Sequence, residues 1–237
     1  MMQRTIFAAC RLAPVALLLA AGFGSARADD SGTPVNNIRV GAYIVHYATT
    51  ADDLSGPFTP PGINIRVGNL TTPYLAYVRS LNANWVVELA AGVPPTTHTY
   101  GKGPATVGSV PFDGQEVATA KWFSPTLLLE YQFLDPSKAL RPFVGVGVNY
   151  THFYDLQSTA AGDAANGGPT RVSLSSSWGP AATVGAVYRI TREIHLTASY
   201  SAARVDSDYQ SDTSGVVRQT KIHFNPRTWV LAVGYSF

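Results

Sequence analysis

The last nine residues, Trp229 to Phe237, constrain the fold more than any other stretch. Trp229, Leu231, Val233, Tyr235 and Phe237 are large and apolar. Val230, Ala232, Gly234 and Ser236 between them are small or short. A period of two belongs to an extended strand, whose successive side chains point to opposite faces. A half-buried strand in water would carry a polar second face, but here that face is small and only weakly polar. Such a strand has lipid on one side and a narrow lumen, filled by side chains, on the other. The closing strand of a secreted β-sandwich shares the period, so the rest of the chain has to decide.

The amino terminus reads as a secretory signal. Arg4 and Arg11 precede an apolar run from Leu12 to Gly24, and Ser25-Ala26-Arg27-Ala28 offers small residues where an A-x-A cleavage site needs them. About 13 apolar residues are too few to span a bilayer. Cleavage is expected after Ala28, leaving residues 29–237 as one domain. The signal takes Arg4, Arg11 and Arg27 with it, so 17 basic residues become 14 against 15 acidic ones, a net charge of −1. The basic precursor therefore implies no nucleic-acid partner. The single cysteine, Cys10, lies in the signal, which excludes disulfides, a Cys nucleophile and thiolate metal ligands from the mature chain.

Period-two segments recur along the chain. Strands are expected at 38–47, 63–79, 85–93, 118–133, 143–151, 174–189, 194–201 and 221–237. The second should be kinked by Pro73 and the preceding polar residues. Connections alternate long and short: loops at 48–62, 94–116, 155–170 and 204–219, and tight turns around 80–84, 134–140 and 189–193. A sandwich has no reason to sort its loops in this way. An outer-membrane barrel does, with short periplasmic turns and long extracellular loops. The fold class expected is all-β, an eight-stranded antiparallel transmembrane β-barrel in the outer membrane of a Gram-negative bacterium. Trp85, Tyr131, Phe133, Tyr188, Tyr235 and Phe237 would form the inner aromatic girdle, and Trp122, Tyr150 and Trp178 the outer one.

Four stretches resemble the OmpW family of small outer-membrane proteins. They are Tyr74 to His98, the run Trp122-Phe123-Ser124-Pro125 through Phe133, Arg141-Pro142-Phe143-Val144-Gly145 through Phe153, and Phe224-Asn225-Pro226 with the terminal strand. The second and third are the most specific. The resemblance implies an eight-stranded barrel with a narrow apolar passage, whose partners are outer-membrane lipid and small hydrophobic molecules. Some members serve as phage or colicin receptors. It also implies that Tyr235 and Phe237 are the handle for the barrel-insertion machinery.

An eight-stranded barrel is just wide enough for its own side chains or one small ligand. Alternation places Arg39, Glu88, Glu130 and His195 inside, either as a charge-neutral structural network or as a gate. Pro125 and Pro180 flank the fifth strand and cannot donate to its ladder. Each either occupies an unpaired position or weakens pairing enough to open a lateral route into the lipid. The function expected is a narrow apolar conduit that helps small hydrophobic molecules across the outer membrane, with lateral release. A structural or receptor barrel acting through its loops is the alternative. A lipid-modifying enzyme is the third: His195, Thr197 and Ser199 share a face, but that face is the lumen and no carboxylate adjoins it. His46, His98, His152 and His223 show no metal spacing, no phosphate-binding loop is present, and no cofactor is expected. Asp206 and Asp208 read as solvated loop residues rather than a cation site. Oligomeric state leaves no mark in the sequence.

Overall fold

Eight antiparallel strands close on themselves in a computed structural model that describes residues 36–107 and 109–237. They are β1 (Asn36–Tyr47), β2 (Leu70–Ser80), β3 (Trp85–Gly92), β4 (Thr126–Gln132), β5 (Leu140–Ser158), β6 (Ser177–Arg189), β7 (Ile194–Ala203) and β8 (Pro226–Ser236). Each pairs with its sequence neighbours, and β8 returns to β1 in register from Asn37 opposite Ser236 to Tyr47 opposite Pro226. Closure leaves no sheet edge, the condition for spanning hydrocarbon with strands. The expected signal peptide, residues 1–28, lies outside the described residues.

Alternation sets the two faces. Val40, Leu75, Leu127, Val146, Leu231 and Val233 stand exposed on the outer wall, while Arg39, Tyr74, Glu88, Leu128, Glu130 and Val230 are buried within. A continuous apolar belt of this kind would be an aggregation surface in water, and in a bilayer it is the solvated face. Trp85, Tyr131 and Phe133 stack edge to face at 5.0 and 5.2 Å at the inner end of the belt. Tyr150 with Trp178 (4.6 Å) and Tyr200 with Trp229 (4.8 Å) mark the outer end. Trp122 is not among them. It is buried, and its Nε1 donates to Thr97 Oγ1 at 2.7 Å. It shares the inward parity of Leu128 and Glu130 and packs in an apolar core at the barrel mouth.

The long connections are not irregular loops. Strands Asn64–Val67, Thr96–Lys102 and Glu116–Phe123 form a sheet that continues onto the distal half of β5. Arg171–Leu174, Asp206–Thr213, Val216–His223 and Thr50–Ala51 form a second. Ala160–Asn166 is a short helix, α1, begun by the Thr159 side chain and ended by Gly167 at φ 85°. Expected strands 63–79, 118–133, 174–189 and 221–237 are each two pieces. The breaks fall at Gly68-Asn69, Ser124-Pro125, Ser175-Ser176 and Phe224-Asn225. Ile63, Ile65 and Val67 therefore pack in an extracellular core, although they share the parity of lipid-facing Leu75. Pro73 stays in the ladder opposite Ala42, so the kink lies before it.

Candidate functional site

The lumen has two unlike halves. The outer half is a cavity walled by Tyr43, Val45, Leu128 and Val230 and narrowed at its mouth by Trp122, Phe153 and Phe224. Tyr43 stacks on Tyr74 at 6.0 Å, and Phe153 on Phe224 at 5.1 Å. The cavity volume is about 60 Å³. The lumen is filled by side chains here and is not a water-filled channel. The remaining lining is mostly alanine and hydroxyl side chains, whose polar atoms are partly committed. Ser124 and Thr126 bond Asn149 Nδ2 at 2.8 Å each.

The inner half is closed by charge. Arg39 on β1 donates from Nη1 to Glu88 Oε2 on β3. Tyr74 donates to the other Glu88 oxygen at 2.7 Å. Glu130 on β4 lies 3.9 Å from the same Nη1, with its Oε2 accepting no hydrogen bond. The Phe143 ring packs 6.0 Å from the guanidinium. Three ionisable groups, Arg39 between two carboxyls, fill the section near the periplasmic end. Removing one partner of such a buried pair costs about 3–5 kcal/mol.

His195 joins from β7, where Asn37 Nδ2 meets its Nε2 at 2.5 Å. The structure thus brings Arg39, Glu88 and Glu130 together and places His195 beside Asn37. Tyr74, Phe143 and Asn37 complete the group. Their inward parity was legible, but convergence from several strands was not. His195 is admitted by Gly234, where a Cβ would come within 1.9 Å of the ring, and Phe143 by Gly185 in the same way, at 2.6 Å. Thr197, inward next to His195, carries a buried Oγ1 without a partner.

The two prolines differ. Pro180 lies within an unbroken β5–β6 ladder opposite Val148, and its carbonyl accepts from Arg204 N at 3.0 Å. Proline still accepts, and it sits where the β6–β7 ladder ends, so it opens nothing toward β5. Pro125 also bonds β5, accepting from Tyr150 N at 3.0 Å. The interruption lies on its other side. Between β3 and β4, pairing stops at Ala90 opposite Thr126 and resumes only at Thr96 opposite Lys121. Ala91 to Pro95 and Trp122 to Pro125 bound this gap, and three of those nine residues are prolines. Proline carries no N–H, which reduces the number of donors left unpaired. Val93 N turns away to Pro73 O at 3.0 Å. Cavity residues Ala90, Thr97, Trp122, Ser124 and Thr126 border the gap from within.

Tyr235 and Phe237 stack at 6.4 Å at the periplasmic seam. Phe237 N donates to Asn36 O at 2.9 Å and Asn36 N to Phe237 O at 3.2 Å, which ties the last residue to the first strand.

Comparison with known proteins gives the same architecture. The family model described as "OmpW family" matches residues 37–237. Outer membrane protein W of Salmonella typhimurium is 32% identical over 171 residues, covering 72% of this chain and 75% of that protein. Dibenzothiophene metabolism operon protein PahQ of Pseudomonas aeruginosa is 23% identical over 158 residues, 67% of each chain. The crystal structure of the outer membrane protein OprG from Pseudomonas aeruginosa superimposes with a TM-score of 0.77 at 24% identity, over 86% of this chain and 96% of that one. With its closed lipid-faced barrel and a family match over nearly all the described residues, the chain belongs to the OmpW family and is an outer-membrane protein.

Proposed function

We propose that the barrel is a non-enzymatic conduit that takes small hydrophobic molecules into its outer cavity and releases them sideways into the bilayer between β3 and β4. The observation that carries this is the position of the ladder gap, at the level where the apolar cavity meets the charged inner section. An apolar solute moving straight on would have to part Arg39 from Glu88. Moving sideways, it breaks no ladder hydrogen bond, and its destination is hydrocarbon. The driving force is the ordinary transfer of apolar surface out of water, about 25 cal/mol per Å². Dibenzothiophene, named in the operon of one relative, is a flat apolar molecule of the class such a cavity suits.

The test is a comparison in reconstituted vesicles. A conduit of this design speeds uptake of a hydrophobic aromatic solute and leaves swelling in small sugars at the protein-free rate. Rapid sugar entry, or no acceleration of the aromatic, contradicts it. The second outcome would leave the extracellular sheets as the working surface of a receptor barrel.

A further inference from the structure

We infer that the outer wall carries a site for a phosphorylated lipid of the outer leaflet, on β6, β7, β8 and β1, away from the ladder gap. A groove runs there along a floor of Val184, Ala186 and Ala198, bounded by Tyr200 and Trp229. Register explains the groove. Val184, Tyr200 and Trp229 follow one another across three strands, and Ala186 and Ala198 form the neighbouring row. Two alanines beside the tilted Tyr200–Trp229 pair leave a trough on the outer wall.

At the head of the groove stand Arg227 and His46, directly opposite each other in the β1–β8 ladder and both exposed. Among the described residues neither makes an ion pair. The carboxylate of Asp206, on the extracellular hairpin that leads into β8, is already held by Arg204 at 2.8 Å and His223 at 2.7 Å. An unpaired guanidinium at a lipid interface calls for an anion, and its planar fork matches a phosphate.

The level is also right. Arg227 lies ten residues before Phe237, and His46 ten residues after Asn36. A tilted barrel strand crosses the hydrocarbon in about 9–11 residues, so both side chains reach the outer headgroup plane while the groove runs down into the acyl region. Phosphate above and acyl chain below describe one molecule, an acylated sugar phosphate or its equivalent.

The experiment uses the full barrel in detergent, titrated with lipid A carrying its phosphates and with the same lipid dephosphorylated, bound lipid being counted by native mass spectrometry. The wild type should hold the phosphorylated lipid roughly tenfold more tightly, the scale of one charge-assisted contact. H46S/R227S should bring it down to the dephosphorylated level, and Ala198→Phe, which fills the groove, should weaken both lipids. Heat-modifiable gel mobility verifies folding. If the double variant fails to fold, Arg227→Gln alone is read in its place. Equal binding of the two lipids by the wild type overturns the site, as does an undiminished phosphate preference in the folded charge variant. Displacement of the lipid by excess inorganic phosphate would make this a site for the free anion and overturn the lipid assignment.

Discussion

His195 and Gly234 face each other across the β7–β8 ladder, and a Cβ on Gly234 would stand 1.9 Å from His195 Nε2. The imidazole occupies the volume that a side chain at position 234 would need, and Asn37 holds it there. Gly234→Ala should therefore overpack the lumen by about 1–3 kcal/mol. The loss is measured as a lower urea midpoint for the folded barrel. His195→Ser in the same chain should restore most of it, which a general intolerance of position 234 would not allow.

Arg39 stands between the buried carboxyl groups of Glu88 and Glu130. Arg39→Met leaves Glu88 and Glu130 uncompensated and should cost about 3–5 kcal/mol. R39M/E88Q/E130Q replaces all three ionisable groups and should regain much of that stability. Urea unfolding of the single and triple variants checks both statements. Uptake of a hydrophobic solute by the triple variant should match the wild type, because the exit proposed lies above the charged section.

Acid should loosen the extracellular hairpin before the barrel. Burial works to raise the Asp206 pKa, but hydrogen bonds and charge from His223 and Arg204 outweigh it, and the carboxyl is held below the usual carboxylate range. A group depressed in this way stabilises the fold above its unfolded pKa, about 3.9. The contribution is lost as pH falls through the folded value. Hydrogen exchange in Asp206–Thr213 should therefore quicken below about pH 4 in the wild type. In Asp206→Asn it should be fast at every pH. Equal protection of the two proteins at neutral pH would refute this.

The carboxyl terminus ties the seam. Deleting Phe237 removes its two backbone bonds to Asn36 and its stacking on Tyr235. We expect slower assembly by the insertion machinery, seen as delayed appearance of the heat-modifiable form, with little change in the unfolding rate of barrels already folded.

The sequence revealed the barrel because each strand carries two solvents, lipid outside and packed side chains within, and alternation records that contrast. Val146 and Gly147, or Leu231 and Ala232, could not be assigned the wrong way round. The extracellular sheets were illegible for the same reason. In Asp206–Thr213 nearly every side chain is polar on both faces, and such a strand reads as a loop. Trp122 has the height of a girdle residue, but its parity, shared with Leu128 and Glu130, points it inward. Helix α1 is only seven residues long, too short to show a period. For the candidate site, parity put Arg39, Glu88 and Glu130 inside, but their meeting depends on the stagger of β1, β3 and β4. Pro125 lies at the height of the ladder gap, but the gap is on its side away from the fifth strand, and the sequence placed the weakened pairing toward that strand. Which neighbouring strand loses its partner is a matter of register, and the loss falls on β3.

The central claim is lateral exit, and a reversible bolt across the gap tests it most directly. Register places Ala91 opposite Pro125, one rung beyond Ala90 and Thr126, and the only native cysteine is Cys10. In A91C/P125C, uptake of a hydrophobic aromatic should fall to the protein-free rate when the pair is oxidised. It should return on reduction, while P125C alone stays active under both conditions. Undiminished uptake through a fully cross-linked barrel would contradict the account.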